Sequence, residues 1–104
     1  MNCLPEILIT FIIMQIYSDN HGRVIWLTVS STEIRVDLQD LSPAFEYKRC
    51  AVVKDVVAVC TALNSNFENV ESKLLEKLQN QMTAFDLFTE LLDDHEIYFE
   101  YFSG

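Results

Sequence analysis

A chain of 104 residues with 16 acids against 7 bases carries a net charge of −9, which phosphates repel, so direct binding to nucleic acid or to an anionic membrane is excluded as its main task. Half of the residues are hydrophobic and only two are Gly and two Pro, the composition of a single folded domain, 1–104, rather than of a disordered segment. Three widely spaced cysteines, Cys3, Cys50 and Cys60, form no C-x-x-C pair and read as reduced thiols of a cytoplasmic protein.

The first apolar run, ILITFIIM (Ile7–Met14), is too short to span a bilayer and follows Glu6 rather than the positive charge of a signal peptide. Its β-branched residues, apolar on both parities, predict a strand over 7–17 covered on both faces, hence a central one. A helix opening at Pro5 is the alternative. SDNHG (Ser18–Gly22) is a cluster of turn formers, and RVIWLTV (Arg23–Val29) is a second strand. After SST, the segment EIRVDL (Glu33–Leu38) alternates, with Ile34, Val36 and Leu38 inward and Glu33, Arg35 and Asp37 outward. Short connections between these three strands make an antiparallel meander.

Ser42-Pro43 reads as a helix start, with Ser as cap and Pro at the first position. Phe45, Val52, Val56, Val59 and Leu63 then share one helical face, which predicts a helix over 43–63. The alternative takes FEYKRCAVV as a fourth meander strand, since the segment is rich in strand formers. NSN (Asn64–Asn66) breaks the pattern, and Ser65-Asn66-Phe67-Glu68 fits a capping box. Phe67, Val70, Leu74, Leu78 and Met82 follow at helical spacing, and Phe85, Phe88, Leu91 and Leu92 carry the stripe to Asp93. Thr83 opens a weaker second cap, so 66–92 is one helix or two.

The ending, DDHEIYFEYFSG (Asp93–Gly104), predicts a strand near 95–102 with Ile97, Phe99 and Tyr101 inward and Glu96, Tyr98 and Glu100 outward. The expected fold class is α+β: an antiparallel sheet (three-strand meander plus C-terminal strand) packed against two or three helices. The sheet face away from the helices is then solvated, covered by a partner or buried in a homodimer, with Trp26 and Tyr17 as its candidate large residues.

Little in the chain speaks for catalysis. The two histidines, His21 and His95, belong to no nucleophile–base signature with Cys50 or Cys60, and two glycines are too few for a phosphate-cradling loop. Asp19/His21 and Asp93/Asp94/His95 lack the ligand spacing of a metal site. Neither an enzyme nor a metal or other cofactor is expected.

Charge carries the functional expectation. Residues 78–104 hold six acids and no base, whereas all seven bases lie before them. A solubilising face is the plain explanation of such asymmetry; a surface for a cationic partner is the functional one. The candidate partner-binding residues are Asp86, Glu90, Asp93, Asp94, Glu96, Tyr98 and Glu100, with Tyr98 as an aromatic anchor ringed by carboxylates. Basic clefts are typical of proteins that hold nucleic acid. The expected role is therefore an inhibitor of a nuclease or defence effector, of the immunity-protein or phage anti-defence (anti-CRISPR) kind, by analogy of size and charge. A rival expectation comes from DNHGRVIWLTVSSTEIRVDL, which resembles the first hairpin of type III secretion chaperones. That resemblance implies an acidic homodimer with an apolar groove for an unfolded effector segment. A structural adaptor subunit is the third expectation.

Overall fold

The computed structural model describes residues 11–42 and 45–104. The chain forms β1 (Phe11–Ser18), β2 (Arg23–Ser30), β3 (Ile34–Ser42), β4 (Phe45–Val53), α1 (Val56–Ala62), α2 (Val70–Leu78), α3 (Ala84–Asp94) and β5 (Glu100–Ser103). The strands make one antiparallel sheet in the order β1-β2-β3-β4-β5, with the three helices after β4. This is the expected α+β class, with one more meander strand. Among the described residues no helix is long and apolar enough to cross a membrane.

Period-2 patterning decides which sheet face meets the helices. Ile25, Leu27 and Val29 of β2, Ile34, Val36 and Leu38 of β3, and Ala51 and Val53 of β4 are buried in one core with Val59, Leu74, Leu78, Phe88 and Leu92 of the helices. Each fully buried side chain of this size contributes roughly 1.5–3 kcal/mol. Arg23 begins the same face of β2 and ties its rim. Its Nη1 donates to the Met82 carbonyl between α2 and α3 (3.1 Å), its Nη2 to the Tyr47 hydroxyl (2.9 Å), and its Nε lies 3.4 Å from Asp40.

The turn before β2 is built by Asp19. Its carboxylate accepts from the His21 and Arg23 amides and from the Tyr17 hydroxyl, and Gly22 takes φ 97°, where a side chain would be strained. The Tyr17 hydrogen bond, first among several, lowers the Asp19 pKa. Asp19 and His21 are therefore turn-forming residues.

Several expectations need correction. The helix over 43–63 does not form: FEYKRCAVV (Phe45–Val53) is β4, the fourth meander strand of the alternative reading, paired along its length with β3, and only Val56–Ala62 is helical. The stripe that suggested one helix joined a strand to a helix. Asp55 is the true N-cap, its carboxylate accepting from the Ala58 amide at 3.1 Å. The Pro43 signal, Cys3 and the 7–10 part of the first predicted strand lie outside the described residues.

β1 is an edge strand rather than a central one, and its doubled apolar parity leaves Ile12 and Ile13 exposed. A register shift between Gln15 and Tyr17 turns Ile16 into the core, where its carbonyl accepts from the Asn80 amide at 2.8 Å. That bond, with Asn80 at φ 63°, sits at the break between α2 and α3.

The predicted capping box of Ser65 and Glu68 does not form, and Asn69 precedes α2 without a side-chain capping bond. Asn66 accepts from the Asn69 amide and Asn69 from the Asn66 amide, while Ser65 donates to the Cys60 carbonyl. Thr83 precedes α3 without a side-chain capping bond. The last strand starts at Glu100, so 95–99 is not strand. Ile97 is buried and Phe99 packs on the core, as expected of the inward set, and Tyr101 meets Phe85 edge-on with ring centroids 6.1 Å apart.

Candidate functional site

Burying Ala84, Phe85, Phe88 and Leu92 leaves Asp86, Glu90, Asp93 and Asp94 on the opposite, exposed side of α3. The helix closes in a Schellman motif: the Ile97 amide donates to the Leu92 carbonyl (2.8 Å) and the Glu96 amide to the Asp93 carbonyl (3.1 Å). Glu96, exposed, holds φ 55° at the position that Gly or Asn usually fills. Asn64 takes the equivalent place after α1, at φ 52°. Tyr98 follows the turn with 78% of its surface exposed.

Glu100 lies elsewhere. It pairs with Val52 in a row that continues through Arg35 to Thr28, on the sheet face away from the helices. Six of the seven predicted residues therefore belong to α3 and the turn after it, and Glu100 belongs to the opposite face. Sequence reasoning put Glu96, Tyr98 and Glu100 on one strand face; the late start of β5 breaks that alignment.

Two features of this surface work against stability. Asp93 and Asp94 sit at the negative end of the α3 dipole with no base in the last turn. Glu96 adds the cost of a left-handed backbone on a residue with a Cβ. The ion pairs among the described residues involve Arg23, Arg35 and Lys54, and none includes Asp86, Glu90, Asp93, Asp94 or Glu96. Lys77 shares a small groove between α2 and α3 with Glu90 and Asp94, without forming an ion pair to either.

The second candidate region is the open sheet face expected opposite the helices. The sheet face opposite the helices is a trough of about 920 Å³ whose floor carries Trp26, Asp37 and Cys50 in adjacent strands, with Ile13 on the β1 rim and Phe102 on the β5 rim. Trp26 faces this trough, as expected of it; Tyr17 instead packs against the helix-side core.

At the centre, Arg35 is clamped by Asp37 through Nε (3.0 Å) and Nη2 (2.8 Å), and Nη2 also lies 3.0 Å from the Cys50 thiol. Glu33 stands 3.8 Å from Arg35 and accepts from Lys54 at 2.9 Å. The bidentate Asp37 contact raises the Arg35 pKa, and its Glu33 bond raises that of Lys54. Burial, reinforced by Asp37, pushes the Cys50 thiol up to about 11, which keeps it protonated and a poor nucleophile. Cys60, also raised by burial, is enclosed in the core.

Neither histidine lines the trough, and the His95 ring contacts the Leu91 carbonyl at 2.9 Å. Among the described residues no three His, Cys, Asp or Glu side chains converge as a metal-ligand set. The described residues thus present an acidic helix surface without ion pairs on one side, and an apolar trough around the Arg35–Asp37 pair on the other. No protein-family model, curated protein or solved structure matches the chain.

Proposed function

We propose that the chain is a protein-binding module whose acidic surface, formed by Asp86, Glu90, Asp93, Asp94, Glu96 and Tyr98, engages a basic protein. By covering a cationic cleft it inhibits a nucleic-acid-handling partner, a nuclease or defence effector, in the manner of immunity and anti-defence proteins. One observation carries this reading: five exposed carboxylates cluster at α3 and its terminal turn without an ion-pair partner among the described residues, two of them against the helix dipole. Such a field speeds encounter with a basic partner, and Tyr98 supplies an aromatic anchor within it.

Affinity capture from host lysate, with wild type beside Glu90→Lys/Asp94→Lys, tests the reading. Wild type should retain a basic, nucleic-acid-binding protein that salt releases and that the double variant fails to hold. Identical captures by both chains would refute it.

A second reading, a homodimeric secretion chaperone or adaptor subunit, is favoured by the uncovered trough. Recovery of a secreted effector whose retention ignores both salt and the charge reversal would select it.

A further inference from the structure

The acidic surface leaves the trough unexplained, and the charges around it bear on what covers it. We propose that the open sheet face is the interface of a homodimer, in which a second copy of this chain occupies the trough. Two chains of −9 repel each other wherever α3 surfaces approach. The open face is different, because Glu33 and Asp37 are offset there by Arg35, Lys48 and Arg49, and Lys54, bonded to Glu33, also feels the outlying Glu100. It is a face without net negative charge on a strongly acidic molecule, so copies meet there without the repulsion of the α3 surfaces.

The apolar side chains fit the same occupant. Ile13 and Phe102 project from opposite rims with 58% and 56% of their surface exposed, while Trp26 lies between them in the floor. Large apolar groups on an uncovered sheet face cost solvation unless they are buried against another surface. A two-fold arrangement lets the β5 rim of each copy enter the trough of the other, seating Phe102 against the opposing floor, which is the self-complementary geometry of an isologous dimer. The Arg35–Asp37 clamp leaves the central charges paired before association, so burying them strands no lone ion. The helices lie on the other side of the sheet, so both acidic surfaces stay free and the dimer presents them twice.

Trp26 is the only tryptophan, so its emission reports on this face directly. Light scattering and Trp26 fluorescence, followed together through a wide dilution series, test the proposal without any substitution. The expected result is twice the 12.0 kDa chain mass at high concentration, with emission shifting red as the mass falls on dilution. Dimerisation should strengthen with salt, since net repulsion is screened while the buried pairs are not. Phe102→Asp and Ile13→Asp, both at exposed positions, should each weaken the dimer by about thirtyfold or more. Glu90→Lys/Asp94→Lys should dimerise at least as well as wild type. A monomer at every concentration with constant emission overturns the proposal. So does a dimer indifferent to Phe102→Asp, which would have formed through another face.

Discussion

The Ile97 amide donates to the Leu92 carbonyl at 2.8 Å, and the turn it closes forces Glu96 to φ 55°. Asn fills the same position after α1, so the fold has a better residue for this geometry and does not use it here. An L-residue in the left-handed region costs roughly 1–2 kcal/mol relative to glycine, partly returned by the unfolded-state entropy of glycine. Glu96→Gly should therefore raise unfolding free energy by up to about 1 kcal/mol in urea denaturation, while weakening partner binding. A destabilised Glu96→Gly chain, or one that binds its partner as well as wild type, would show that the carboxylate is not kept for recognition.

Arg23 joins three strands to the α2–α3 connection through Asp40, Tyr47 and the Met82 carbonyl. Its side chain is 23% exposed, so solvent screens part of each contact. Arg23→Met should cost about 1–3 kcal/mol in chemical denaturation, and Arg23→Lys should recover less than half of that, because an ammonium cannot serve three divergent acceptors. Full recovery by lysine would reduce the contact to simple charge.

The order of the first three strands, the inward sets of β2 and β3, and the core positions of α2 and α3 were legible because their periods were unmixed. Val70, Leu74, Leu78, Phe85, Phe88 and Leu92 are all buried where spacing put them, whereas Phe67 and Met82 of the same stripe lie outside α2 and are exposed. The failure at 43–63 has a physical cause. Phe45 and Val52 align by chance with Val56, Val59 and Leu63, and the strand formers of FEYKRCAVV that argued for the alternative prevail because β3 supplies a pairing edge. Edge position is invisible locally: apolar parity on both faces marks a central strand, yet β1 spends it on exposed Ile12 and Ile13. The acidic α3 stripe could be read from composition. Of the trough, the open face and Trp26 were legible from the strand pattern; Cys50 and Phe102 were not, because they lie in other strands and join Trp26 only through the register.

Cys50 sets an alkaline limit on stability. Its folded pKa of about 11 exceeds the ordinary thiol value of 9.0, so between these the unfolded chain loses a proton that the folded chain keeps. The contribution is fully present below 9 and declines as pH rises towards 11. Cys60, raised by burial, and Tyr17, raised first by its hydrogen bond to Asp19, slope the same way. Denaturation midpoints of wild type should fall through this window more steeply than those of Cys50→Ala. Parallel curves would mean that the thiol is solvated in the folded protein.

Recognition through the acidic surface is read out by the association rate of the captured partner across ionic strength. Asp93→Lys/Asp94→Lys leaves the core untouched and suits the α3 dipole, so the variant should be folded and more stable than wild type by a few tenths to about 1 kcal/mol per site. Wild type should associate at least about tenfold more slowly at high salt than at low salt. The reversed chain should start slower and respond far less to salt. Equal rates for the two chains, unchanged by ionic strength, would contradict a partner recruited through Asp86, Glu90, Asp93, Asp94 and Glu96.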